Sequence, residues 1–186
     1  MRKLITAILL LTCATSLRAE EVVLLDGTIR LSIPSGFTRL TQDEITSKFP
    51  RNNRPPFAAF SDARRNATIA FTLSKQQQPL SEEKLPELKA AFEQLFPRVL
   101  PGLRWNDRSI VSLNGRRWVF FDLTAHAVDS DVRNNMYFTA HRGDVLGINA
   151  VSTVSEWPKV EERLKQSIKT VKLSEPTPNS SSQRTR

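Results

Sequence analysis

The chain has 186 residues, 39% of them hydrophobic, a single cysteine and a formal net charge of +8. One cysteine excludes a disulfide framework, so stability has to come from an apolar core, which a chain of this length is able to build. The basic excess favours anionic partners, but no helix of clustered Lys and Arg interleaved with aromatics accompanies it, which sets nucleic acid aside as a partner.

The chain opens with MRKLITAILLLTCATSLRAEEVV, in which Arg2 and Lys3 precede an apolar run from Leu4 to Leu11 and the small residue Ala19 follows. This is the pattern of a secretory signal peptide, residues 1–19, cleaved after Ala19. The run is shorter than the ~20 residues of a spanning helix, and no later segment approaches that length, so no transmembrane segment is expected. The alternative is a lipobox ending in "LLTC", with Cys13 acylated as the new first residue. Thr12 stands where such a box has Gly, Ala or Ser, so simple cleavage and a periplasmic protein are the expectation. The cysteine and three basic residues then leave with the leader.

Val22–Leu25 and Thr28–Ile33 are β-favouring runs joined by Asp26-Gly27, a pair suited to a two-residue hairpin turn. Pro34-Ser35-Gly36 breaks the strand, and Thr41 with Glu44 has capping-box spacing for a short helix to Phe49, stopped by Pro50. "RNNRPP", residues 51–56, is a loop by composition. Phe57–Ser61 and Ala67–Ser74 predict a second hairpin, with Ile69, Phe71 and Leu73 on one face.

Leu85, Leu88, Phe92 and Leu95 recur at helical spacing, predicting a helix from Leu85 to Phe96 that Pro97 ends. Arg108–Leu113 and the run from Arg116 form a hairpin turned at Asn114-Gly115. Trp118–Leu123 is apolar on both faces apart from Asp122, which requires layers on both sides of the sheet. Met136–His141 and Val145–Ser152 predict a further hairpin through Arg142-Gly143-Asp144. Ser155 then caps a helix whose stripe is Trp157, Val160, Leu164 and Ile168. At about 2 kcal/mol each, these four anchors contribute on the order of 8 kcal/mol before entropy. Residues 20–173 thus read as one domain and 174–186, SEPTPNSSSQRTR, as a disordered polar tail.

This order, with "IPSGF", "NGRRWVFFDL" and "MYFTAHRGDVLGINAVST" placed between the two long helices, resembles the PsbP-like superfamily, which includes DcrB-type bacterial envelope proteins, exported lipoproteins and chaperones of type VI secretion. The resemblance implies an α+β fold, an antiparallel sheet built from hairpins with helices packed on its faces in an α/β/α sandwich. It also implies a binding, assembly or stabilising role rather than catalysis, and it brings no invariant site to transfer.

The chemistry-bearing residues agree with that expectation. His126 and His141 are the only histidines, with Asp122, Asp129 and Asp131 near the first. Two histidines on separate strands without a cysteine fall short of a zinc ligand set, so no metal and no cofactor are expected. No Gly-x-Ser-x-Gly elbow surrounds any serine. Glu82-Glu83 and Glu161-Glu162 fit helix starts and solvated helix faces, and the Asn66-Ala67-Thr68 sequon is read as chance.

Arginines gather at the proposed loops and tips: Arg51, Arg54, Arg64, Arg65, Arg116 and Arg117, with Arg133 and Arg142 beside them. Guanidinium pairs carboxylate and phosphate through two parallel bonds, so the first six are the candidate grip for an anionic partner. The leading expectation is a non-enzymatic exported envelope protein that binds a protein or an anionic envelope component. The alternatives are a periplasmic immunity or inhibitor protein against a secreted toxin, and a small hydrolase using His126 or His141.

Overall fold

A computed structural model describes residues 19–50, 55–127 and 129–174. The expected leader with Cys13, the loop positions Arg51 and Arg54, and the tail beyond Ser174 lie outside the described residues.

The strands are β1 (Glu20–Leu24), β2 (Ile29–Ile33), β3 (Phe37–Arg39), β4 (Ala58–Asp62), β5 (Ala67–Ser74), β6 (Arg104–Leu113), β7 (Arg116–His126), β8 (Asp131–His141), β9 (Asp144–Thr153) and β10 (Lys172–Leu173). The α-helices are α1 (Gln42–Lys48), α2 (Leu85–Val99) and α3 (Trp157–Lys169). Strands β3-β4-β5-β9-β8-β7-β6, in that spatial order, form an antiparallel sheet, and β1-β2-β10 form a second one. This is an α+β architecture.

Alternation assigns the two faces. Ile69, Phe71, Trp118, Tyr137, Leu146 and Ile148 point to one side, where they share a core with the inner face of the small sheet and with Trp157, Val160, Leu164 and Ile168 of α3. On the other side, Val119, Phe121 and Leu123 pack under Leu85 and Phe96 of α2, and Ala59 and Ala70 pack under Leu40 and Ile45 beside α1. The requirement that Trp118–Leu123 be covered on both faces is therefore met by unlike layers.

Local chemistry explains the element ends. The Thr41 capping box forms, with Thr41 Oγ1 accepting from Glu44 N and Glu44 Oε2 accepting from Thr41 N at 2.8 Å. Asn114 and Gly115 take φ of +49° and +78° in the tight turn between β6 and β7, the conformation an Asn-Gly pair tolerates.

Several boundaries differ from the sequence reading. The first hairpin turns through four residues, Leu25 to Thr28, rather than two, because Leu25, Asp26 and Gly27 all adopt positive φ and Thr28 N closes on Leu25 O. This hairpin also belongs to its own sheet, completed by β10, a strand that the sequence pattern does not predict. Ser174, read as the start of the tail, donates its N–H to Thr28 O and lies within the fold.

Helix α2 continues past Pro97 to Val99. Proline there removes only its own bond to the carbonyl one turn back, and Leu100 N still reaches Phe96 O at 2.8 Å. Phe96, not Leu95, is the buried anchor; Leu95 is 45% exposed. Ser155 does not cap α3: its hydroxyl pairs with Thr153 Oγ1, Glu156 takes the cap position, and Pro158 follows in the first turn, where no N–H partner is required. Strand β6 starts four residues earlier than expected, and a register shift between Trp105 and Asp107 leaves Asn106 as the extra residue of a bulge.

Candidate functional site: an apolar groove between two helices

α1 and α2 cover opposite ends of one sheet face and leave the centre open. There the floor is Ala70 and Thr72 of β5, Gly147 and Asn149 of β9, and Met136 and Phe138 of β8. Phe49 and Pro56 form one wall and Leu88, Phe92 and Phe96 the other, around about 370 Å³. None of the lining residues among those described carries an ionisable side chain.

Ring contacts hold the α2 wall against the sheet. Phe92 stacks on Phe96 at 5.1 Å and meets Phe138 at 4.5 Å, and Phe121 lies beneath them, 6.2 Å from Phe92 and 5.3 Å from Phe96. Such pairs add about 0.5–1.5 kcal/mol each beyond their burial. Gly147 makes the floor possible, since a methyl group on it would sit 2.5 Å from Thr72 Oγ1 and 3.0 Å from Phe138 Cε1. The polar groups of the lining are Thr72, Ser74, Gln76 and Asn149; Asn149 Nδ2 donates to Asn134 Oδ1 at 3.0 Å, while its own Oδ1 has no hydrogen-bond partner among the described residues. Beyond the wall, Leu95 and Val99 continue the apolar surface of α2, 45% and 55% exposed.

On the opposite face, β7 and β8 hold a polar cluster. Arg133 grips Asp122 with two parallel bonds, Nε to Oδ1 at 2.9 Å and Nη2 to Oδ2 at 2.6 Å, and bulged Asn106 adds a third at 3.0 Å. Burial pushes the Asp122 carboxyl up, but the bonds from Arg133 and Asn106 outweigh it and hold it below the usual aspartate range. The Arg133 guanidinium also lies 5.3 Å over the Trp157 ring.

Nearby Tyr137, the chain's one tyrosine, is pushed up to about 12 by burial, with the Asp122 charge adding to it. A raised acid stabilises the fold below the unfolded value near 10 and loses that contribution as pH climbs through 12. A tyrosinate absorbance titration is therefore expected to show no ionisation near pH 10 while the near-ultraviolet circular dichroism remains native. Ionisation at the ordinary value in the folded protein would show that the phenol is not held as described.

The sequence-selected groups are dispersed. His126 lies at the β7–β8 end of the sheet, its Nδ1 bonded to Asp131, which Arg104 also holds at 3.0 Å. His141 is buried at the other end, with Nε2 2.9 Å from Thr28 Oγ1. The two cannot share an ion, and Asp122 faces Arg133 rather than either. Among the described residues no group of three or more His, Cys, Asp or Glu is placed to hold a metal.

Of the arginines, Arg64 and Arg65 occupy the β4–β5 tip, where Arg65 pairs with Glu44 and donates to Thr38 Oγ1. Arg116 and Arg117 occupy the β6–β7 tip at the far end of the sheet, Arg116 bound to Glu82 at 2.7 Å and to Ala140 O. The structure thus separates these two pairs. The groove escaped the sequence reading because its residues come from four elements and the segments beside them; the one local signal was Gly147 inside an otherwise apolar strand, a mark of close approach.

No protein-family model and no curated protein sequence matches the chain. Among solved structures, the PsbP protein (CyanoP) of Synechocystis sp. PCC 6803 superposes with a TM-score of 0.55 at 9% identity, covering 83% of this chain and 92% of its own. The chain has the PsbP-like fold. LpqN of Mycobacterium tuberculosis, described as involved in cell envelope biogenesis, gives a TM-score of 0.55 at 15% identity over 85% of this chain and 91% of its own. The Ran-binding protein Mog1p of Saccharomyces cerevisiae gives 0.53 at 12% identity over 85% and 96%. The PsbP-like sheet is thus common to proteins whose sequences share little, so its side chains have to be read locally. Among the described residues no helix is long and apolar enough to cross a membrane.

Proposed function

We propose that the protein is an exported, non-enzymatic envelope protein that seats an apolar segment of a protein partner in the groove between α1 and α2. The observation that carries this is the lining: aromatic walls, a floor opened by Gly147 and, among the described residues, no ionisable group. Such a surface offers a ligand buried apolar area and shape, with a few neutral polar groups, Thr72, Ser74, Gln76 and Asn149, to orient it. That Mog1p is a Ran-binding protein supports a binding role on this fold, the involvement of LpqN in cell envelope biogenesis supports an envelope setting, and the leader-like start supports export.

A photo-reactive p-benzoylphenylalanine at position 88, introduced in the full chain within its native envelope, is expected to give one discrete protein adduct. The same probe at Lys159, on the exposed side of α3 and away from both the groove and strand β1, is expected to give none. With the captured protein in hand, Leu88→Gln on the half-buried wall should weaken its binding about tenfold, one lost apolar contact being worth about 1–2 kcal/mol. Equal adducts from both positions, or unchanged affinity in Leu88→Gln, would reject the groove as the site.

A further inference from the structure

A second place on the molecule is built for a different kind of ligand. Strands β1 and β3 are edge strands of the two sheets, and both line one crevice of about 430 Å³. Its apolar side is Val22, Ile33, Phe37 and Phe60.

The hydrogen-bond pattern shows which backbone groups are turned away from the neighbouring strand among the described residues. Ser32 N and Thr28 O point away from β1, to Thr170 Oγ1 and Ser174 N, so Leu31 and Ile33 face β1. Strand alternation then turns the N–H and C=O of Glu21 and Val23 outward. On the other edge, Leu40 N donates to Ala59 O, which places Thr38 toward β4 and Arg39 outward. Val23, 45% exposed, is an unguarded apolar residue on this edge. Charge is graded along the crevice: Glu20 and Glu21 lie at the end where Glu20 opposes Ile33, and Arg39 lies at the far end of β3.

We infer that this crevice accepts an extended peptide segment of a partner by strand addition, with main-chain bonds to Glu21, Val23 and Arg39. Its alternate side chains enter the apolar floor, a basic residue lies against Glu20 and Glu21, and an acidic one lies near Arg39. The five residues of β1 span about 16 Å, so a segment of about five residues fills it. This site is separate from the groove and does not depend on it.

Panning a random heptapeptide phage library on the full chain is the test. It is expected to enrich sequences of alternating apolar residues with a basic residue toward one end. A synthetic copy of the leading heptapeptide should slow amide hydrogen exchange at Glu21, Val23 and Arg39 at least tenfold. It should lose about tenfold in affinity when its backbone is N-methylated on one edge or when Glu20 and Glu21 are both changed to Lys. Both glutamates are exposed, so that variant keeps its fold, and the N-methylated peptide needs no change to the protein. Leu88→Gln should leave the affinity unchanged. No enriched sequence, free exchange at the three amides in the complex, indifference to the Glu→Lys pair, or loss of binding in Leu88→Gln would each overturn the inference.

Discussion

Trp157→Ala is expected to cost the domain about 3–5 kcal/mol, a large part of the ~5–15 kcal/mol by which domains of this size are stable. Trp157 is 2% exposed at the first turn of α3 and fills the space between that helix, the small sheet and the face of the seven-stranded sheet. Its removal leaves a cavity that three layers border, none of which can collapse into it without moving the others. It also removes the ring on which the Arg133 guanidinium rests. Urea unfolding followed by far-ultraviolet circular dichroism should show the lower midpoint at an unchanged slope. Trp157→Phe, which keeps most of the volume, should cost about 1–2 kcal/mol. A loss below 1 kcal/mol for the alanine variant would show that α3 is not anchored here.

Asp122→Ala is the second large effect, expected at about 2–3 kcal/mol. Asp122 is buried and bound by Arg133 and Asn106, and its removal leaves the guanidinium without its carboxylate. Breaking a fully buried pair costs about 3–5 kcal/mol, and the partial exposure of Arg133 lowers that figure. A double variant, Asp122→Leu with Arg133→Leu, should recover most of the loss, because no unpaired charge then remains.

The pH dependence follows from the sign of the shift. The folded Asp122 carboxyl titrates below its unfolded value near 3.8. Its contribution is therefore full above about pH 5 and is lost as pH falls past 3.8 and through the lower folded value. Wild type should lose stability over that acid range more steeply than Asp122→Asn. Parallel acid curves would remove Asp122 from the account.

Much of the fold was legible because it is written in local signals. Thr41 and Glu44 set a capping box, Asn114-Gly115 sets a turn, and Ile69, Phe71 and Leu73 alternate. The two-sided apolar run at Trp118–Leu123 requires a layer on each face, and β7, one strand in from the edge, is covered on both. What failed was decided at a distance. Leu95 and Phe96 both fit the helical stripe of α2, and only the position of Phe121 and Trp105 beneath it selects Phe96. Lys172-Leu173 carries no strand pattern of its own and becomes a strand by pairing with Arg30 and Ile29.

The candidate site was less legible still. Arginine pairs draw attention in a sequence, yet Arg65 and Arg116 are each engaged by a neighbouring glutamate. The groove is made of ordinary residues such as Ala70, Thr72 and Gly147, whose shared property is what they leave uncovered. Openness is a relation between α1 and α2, and no residue pattern within either helix encodes it.

The ladder between β5 and β9 joins Ala67 to Ser152 in the middle of the large sheet. Until residue 152 has been synthesised, β5 lacks its inner neighbour, and the Phe71 side lacks α3. Closing so long a loop is slow compared with forming helices or hairpins. The large sheet can therefore close only once most of the chain has been made, and the hairpins on either side of that ladder have to wait for each other.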